Sequence, residues 1–217
     1  AVELLPFLEQ SALEASIDRE AGVEASTNSL GRETPLAVML CPSDIVEPTF
    51  ELRTDYDGHE EDDEDDHASG FSTGLATEGL PDLLTVLPTS NYVGVYGTIE
   101  ADDGFPAPEG DGSVMCQRPV RFADLRRGTS MTLLVGERKM ATIPSTWFGV
   151  HFAGEDAACR LVGSALAWPN CESCDECEFT SRHPGGVNFL WADGHVSFVS
   201  EGIDPEEYQQ MARRFMQ

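Results

Sequence analysis

The sequence predicts an α+β fold: an antiparallel β-sheet packed against an N-terminal helix, with long loops and a closing C-terminal helix. Three observations point there. Apolar residues alternate with polar ones on both sides of Asp193-Gly194, the pattern of a β-hairpin. Apolar residues recur at helical spacing near both ends of the chain. Short strand-like runs lie between, separated by stretches rich in proline, glycine and acid.

Taken in order, Glu3 to Asp18 reads as the first helix, with Leu5, Leu8, Ala12, Ala15 and Ser16 on one face and Pro6 confined to the first turn. Arg19 to Glu33 is small and polar, a loop. Leu36 to Leu40 reads as a short buried strand stopped by Cys41-Pro42. Between Asp55 and Ser69 the chain turns acidic, with seven successive acids from Glu60 to Asp66 flanked by His59 and His67. A run of this kind repels itself and reads as an insertion. Asp55-x-Asp57-Gly58 does not place the glycine and final glutamate where an EF-hand loop requires them. Asn91 to Gly97 has strand character, Gly104 to Gly112 reads as a loop, Ser113 to Phe122 as a strand, and Met131 to Val135 as a better one. Ser145 to Phe152 brings Trp147 and Phe148 to the core.

The hairpin is the most informative segment. With Asp193-Gly194 as a two-residue loop, Trp191 lies opposite Val196 and Phe189 opposite Phe198, giving one aromatic and aliphatic face. The last helix is well signalled: Asp204 as N-cap, Pro205 at the first position, Glu206 and Glu207 in the first turn, Arg213 and Arg214 in the last. Tyr208, Met211, Ala212 and Phe215 form the face that must pack.

At 217 residues and 41% hydrophobic, one globular domain is expected, 1–217, with the acidic insertion at about 55–70. The 39 acidic and 13 basic residues leave a net charge of −26. That excludes nucleic acid and anionic membrane as expected partners, since both need a cationic face. It favours salt, divalent cations or a basic partner.

No catalytic constellation emerges, and the chain reads as a non-enzyme. Ser130 in Gly-Thr-Ser-Met-Thr is no nucleophile elbow, and neither a P-loop nor Gly-x-Gly-x-x-Gly is present. His183 beside Pro184 reads as a structural donor to backbone or to Asp193 across the hairpin base, with ligand or base as alternatives. Asp193 reads as a turn residue whose carboxylate bonds local amides.

His183, nine intervening residues and Asp193-Gly194 resemble the processing-associated motif of a large bacterial family of prepilin-type proteins. Other landmarks fall in the family's order: Leu4-Leu5-Pro6-Phe7-Leu8-Glu9-Gln10, Cys41-Pro42-Ser43-Asp44, Asn91-Tyr92-Val93-Gly94, Gly128-Thr129-Ser130 and Leu133-Leu134-Val135-Gly136-Glu137-Arg138. Arg127, Met131 and His195 depart from the family's usual residues. The motif's own residues are His183, Gly185, Gly186, Asp193 and Gly194.

The resemblance, to type IV pilins and type II secretion pseudopilins, implies a structural subunit of an extracellular filament or secretion apparatus at the cell surface. Such a subunit acts by assembly, as a homo-oligomer or filament. The family's long apolar N-terminal helix has no counterpart here: a membrane span needs about 20 apolar residues, and the longest run is Leu36 to Cys41. The chain therefore reads as a water-facing head whose stalk was removed, was processed off or belongs to a separate chain. Contact with a membrane is expected only through that missing helix.

Six cysteines, Cys41, Cys116, Cys159, Cys171, Cys174 and Cys177, are candidates for disulfides in the oxidising exterior that the resemblance implies. A Cys41–Cys116 bridge would close a long loop. The competing reading is a metal knot of Cys171, Cys174 and Cys177 with Cys159 or His183 as fourth ligand, holding zinc. Calcium is the cofactor that the pseudopilin resemblance implies, with Asp102, Asp103, Asp111, Asp62, Asp63 and Asp65 as candidate ligands. The alternative function is thus a metal- or ligand-binding surface module using the Cys171–Cys177 cluster or the acidic loop.

Overall fold

Two β-sheets, each with its own apolar core, organise the computed structural model, which describes residues 2–54, 81–103, 107–115 and 118–216. The smaller sheet has the order β1 (Thr49–Arg53), β2 (Leu83–Ser90), β5 (Ser145–Thr146), all antiparallel. The larger has the order β6 (Val162–Ser164), β3 (Tyr92–Gly97), β4 (Leu133–Glu137), β7 (Gly186–Trp191), β8 (Val196–Ser200). In this larger sheet β3 and β6 run parallel, and the β3–β4, β4–β7 and β7–β8 pairs are antiparallel. Asn91, between β2 and β3, is where the chain passes from one sheet to the other.

The N-terminal segment is not one helix. A 3-10 helix covers Val2–Leu8, and α1 covers only Ser11–Ala15. Between them Glu9 adopts φ 60°, a left-handed conformation that stops a right-handed helix. Leu5 and Leu13 still face inward, joining Leu36, Met39, Phe50, Leu52, Leu87, Trp147 and Phe148 beside the smaller sheet. A second short helix, α2, covers Ser29–Arg32. The segment expected as a strand at 36–40 is a 3-10 turn, Ala37–Met39. Its three-residue period buries Leu36 and Met39 and turns Val38 outward. Ser113 to Met115 forms no strand; Val114 N–H bonds the β3 carbonyl of Val95 at 2.9 Å, and a 3-10 turn covers Phe122–Asp124.

The larger sheet is covered on one face by α3 (Pro205–Ala212). Its Tyr208 and Ala212 pack on Val93, Val95, Leu133, Val187, Phe189, Trp191 and Val199. The Asp204 carboxylate accepts from the N–H groups of Glu206 and Glu207, so the helix start follows the sequence signal. Its end comes earlier than expected: Arg213 is the C-cap. Arg214 instead crosses to the Gly110 and Gly112 carbonyls, at 2.6 and 3.1 Å.

The hairpin exists, but its turn is one residue longer than the parity argument required. Trp191 N–H bonds the His195 carbonyl and Gly194 N–H the Trp191 carbonyl, both at 2.9 Å, leaving Ala192, Asp193 and Gly194 as a three-residue loop. Gly194 has φ +95°, so the turn closes through a left-handed glycine and a bulge. A one-residue slip flips every side chain of β8. Asn188 therefore faces Phe198, Leu190 faces Val196 and Phe189 faces Ser197. Val196 and Phe198 stand outward, 64% and 50% exposed, rather than in the ladder with Trp191. The inner face gains a polar contact instead, Trp191 Nε1–H to Ser197 Oγ at 2.7 Å.

Candidate functional site

Three polar segments converge where β4 ends. Leaving Gly136, the strand places Glu137 and Arg138, both buried. Asn91, at the exchange between sheets, fixes this corner: its N–H bonds the Met39 carbonyl, its Oδ1 accepts Cys41 N–H and its Nδ2 donates to the Arg138 carbonyl, at 2.8, 2.8 and 3.0 Å. Asp44 lies in the same knot and accepts from Met140 N–H, Ile45 N–H, Asn91 Nδ2 and Arg182 Nε, at 2.7, 2.8, 2.8 and 2.6 Å. Burial pushes the Asp44 carboxyl up, but these four donors together hold it below its ordinary range.

His183 arrives on the third segment. Its Nε2 stands 3.3 Å from Glu137 Oε1 and 3.6 Å from Cys41 Sγ. The other Glu137 oxygen accepts from Asn188 N–H at 2.8 Å and from Asn188 Nδ2 at 3.1 Å. The bend that delivers His183 depends on glycine: Gly185 has φ +88°, and a Cβ on Gly186 would come within 2.1 Å of the Val199 carbonyl oxygen. A cavity of about 10 Å³, room for about one water or ion, is lined by Cys41, Asp44, Asn91, Glu137 and Arg138, among others. It shares Lys139, Ser181 and Arg182 with an open cleft that carries His183.

A second group of acids lies at the opposite end of the Arg138 side chain. That guanidinium is buried and donates to the carbonyls of Glu178 and Val162, both at 3.1 Å, to Ser145 Oγ, and to the carbonyls of Cys159 and Cys177. Burial lowers its pKa to about 10, so it stays charged at neutral pH. Above it Cys159 and Cys177 form a disulfide with Cα atoms 5.0 Å apart, and Cys171–Cys174 forms another at 5.4 Å. Around the first disulfide gather Glu100, Asp102, Asp156, Asp175 and Glu176. Asp102, Asp156 and Glu176 bring carboxylate oxygens within 4.8 Å of one another and could hold a divalent cation. Desolvation and neighbouring acids raise Glu100 to about 7 and Asp156 to about 6, and they raise Asp102 as well. Burial also lifts Glu178 to about 7, although Leu166 and Ala167 N–H groups bond one of its oxygens.

Residues 1–206 match the model of a family described as a protein of unknown function, DUF1559. The chain belongs to this family. No curated protein and no solved structure matches it.

In this member of the DUF1559 family the sequence-predicted site residues scatter. Asp111 serves structure: its carboxylate accepts Thr98 N–H at 2.6 Å and Thr98 Oγ1–H at 2.8 Å, and pairs with Arg213 at 3.3 Å. Asp103 is exposed, and Asp102 alone of the three joins the carboxylate group. Asp62, Asp63, Asp65 and the acidic run, together with Cys116, lie outside the described residues. The zinc-knot reading is corrected, because Cys159, Cys171, Cys174 and Cys177 are consumed in two disulfides. Cys41 is a free, buried thiol. His183 does not bond Asp193 across the hairpin base, because the six residues of β7, about 20 Å of strand, separate them. Asp193 instead accepts from its own turn, His195 N–H at 3.1 Å, and pairs with His195 Nδ1 at 2.6 Å.

Asp44, Asn91, Glu137 and Arg138 were visible in the sequence as landmarks without roles. The signal lay in their setting: polar residues at the ends of apolar runs, where a buried strand must dispose of its backbone and side-chain partners. Glu100, Asp156 and Glu176 carried no such signal.

Proposed function

We propose that this chain is the water-facing head of a pilin- or pseudopilin-like filament subunit at the cell surface, acting by assembly rather than catalysis. The observation that carries the reading is the outer face of the larger sheet. There Val196 on the edge strand β8, Leu190 on β7 and Val135 on β4 pair in one apolar stripe across three strands, with Phe198 beside it. α3 covers the opposite face, while Val196 and Phe198 stay largely exposed on a chain of net charge −26. An open edge strand carrying outward apolar residues favours association with a neighbour. Two disulfides among the described residues suit an oxidising exterior.

Calcium belongs to the same reading. Asp102, Asp156 and Glu176 are the residues that would hold it, and a dication there would offset the burial and the acid–acid repulsion that raise Asp156 and nearby Glu100. The test joins the head to an apolar stalk helix, in cis or as a separate chain, and follows assembly by electron microscopy in high salt with calcium. Filaments, lost on Phe198→Glu while the head stays folded, support the reading. Stalk-bearing protein that remains dispersed under those conditions refutes it.

A further inference from the structure

Cys41, Glu137 and His183 come from three separated segments, yet their donor atoms face one point. The same His183 nitrogen, Nε2, lies near both Cys41 Sγ and Glu137 Oε1. A base relay would use the two ring nitrogens for different partners, so this arrangement is convergence and not a nucleophile–base–acid chain. The spacing is informative. With Zn–S about 2.3 Å and Zn–N and Zn–O about 2.0–2.1 Å, tetrahedral donors sit roughly 3.6 Å apart for S···N and roughly 3.3 Å apart for N···O. The observed separations are 3.6 and 3.3 Å. All three donor atoms fall within 4.8 Å of one another.

We infer that Cys41, Glu137 and His183 form a three-donor site for zinc or a similar thiophilic divalent cation, with the fourth position left to water. The donor set is one sulfur, one nitrogen and one oxygen, which suits zinc over the oxygen-seeking calcium and magnesium. A thiolate and a carboxylate together neutralise a dication, with His183 binding as the neutral imidazole. Both Asn188 donors fix the second Glu137 oxygen and turn Oε1 toward His183, the kind of outer contact that aims a ligand. Nearby cations are already committed: Arg182 to Asp44 at 2.6 Å and Lys139 to Glu172 at 3.7 Å. The site is distinct from the carboxylate group beside the disulfide. It stands or falls independently of filament assembly.

On binding, the Cys41 thiol gives up its proton to solvent and its sulfur becomes a ligand, so affinity rises with pH. The test uses the whole chain, purified without reductant, freed of metal by a chelator and titrated with cobalt(II) or zinc alone. The expected result is one metal per chain, with a thiolate-to-cobalt charge-transfer band and intense visible bands of tetrahedral geometry. Cys41→Ser removes the charge-transfer band, and Glu137→Gln and His183→Gln each weaken zinc on the order of 100-fold. Glu137→Asp retains cobalt binding in part. Asp102→Asn combined with Glu176→Gln leaves the spectrum unchanged. The wild-type spectrum alone decides the matter if a variant fails to fold. Absence of the band, its survival in Cys41→Ser, or peptide mapping that finds Cys41 in a disulfide would overturn the inference.

Discussion

The two polar clusters share Arg138 but solve burial in opposite ways. On the Cys41 side each acid has donors of its own: Asp44 has four, and Glu137 has Asn188 and His183. On the disulfide side the acids outnumber the two buried arginines, Arg138 and Arg160, and Glu178 keeps one buried oxygen without a hydrogen-bond partner among the described residues. The first cluster is organised by geometry and the second by charge. The first should therefore be sensitive to the removal of one donor, and the second to protons, salt and divalent cations.

The largest expected effect comes from the residue they share. Arg138→Met removes a buried donor from the carbonyls of Cys159, Val162, Cys177 and Glu178 and leaves Glu178 without its buried counter-charge. The expected loss is about 3–5 kcal/mol, measured by urea unfolding with the disulfides intact. A loss under about 1 kcal/mol would mean that the two clusters do not depend on the arginine between them.

Asp44→Asn tests the geometric cluster alone. It keeps the shape and removes the charge that receives Arg182, Asn91 and two N–H groups, for an expected cost of about 2 kcal/mol. That cost should vary little with salt, because the Asp44 side chain is only 2% exposed.

The charge cluster should announce itself through pH. Glu100, Asp156 and Glu178 hold protons more tightly folded than unfolded, so the folded chain carries the extra protons above about pH 4.5. Stability then falls as pH rises toward 6–7. Between pH 7.5 and 5.5, without divalent cations, the melting temperature should rise by a few degrees. Calcium should flatten that slope by replacing protons, and Glu100→Gln with Asp156→Asn should flatten it without calcium. A slope indifferent to both would remove charge as the organising term.

The smallest effect concerns the turn. Gly194→Ala forces a side chain into φ +95° and should cost about 1 kcal/mol, read from the shift in the denaturation midpoint. It should leave both clusters unchanged, since β7 separates the turn from His183.

What was legible in the sequence follows the range of each interaction. The α+β class, the hairpin and the Asp204 cap depend on neighbours in sequence, and all three are present in the structure. The turn length is not legible because Asp-Gly serves both two- and three-residue loops, and the bonds from Trp191 to His195 and from Gly194 to Trp191 decide between them. The N-terminal helix is shorter than its apolar periodicity predicts, because that periodicity says nothing of Glu9 in a left-handed conformation. Long-range convergence was the least legible: Cys41 and His183 stand 142 positions apart. Their meeting depends on the chain changing sheets at Asn91, which no local pattern encodes.

Assembly through the outer face of the larger sheet is most directly tested by amide hydrogen exchange, comparing the dispersed head with the stalk-bearing filament. The account predicts that β8, Val196–Ser200, is unprotected along its open edge when dispersed and becomes protected on assembly, while α3 changes little. Filaments that form with β8 exchange unaltered would contradict it.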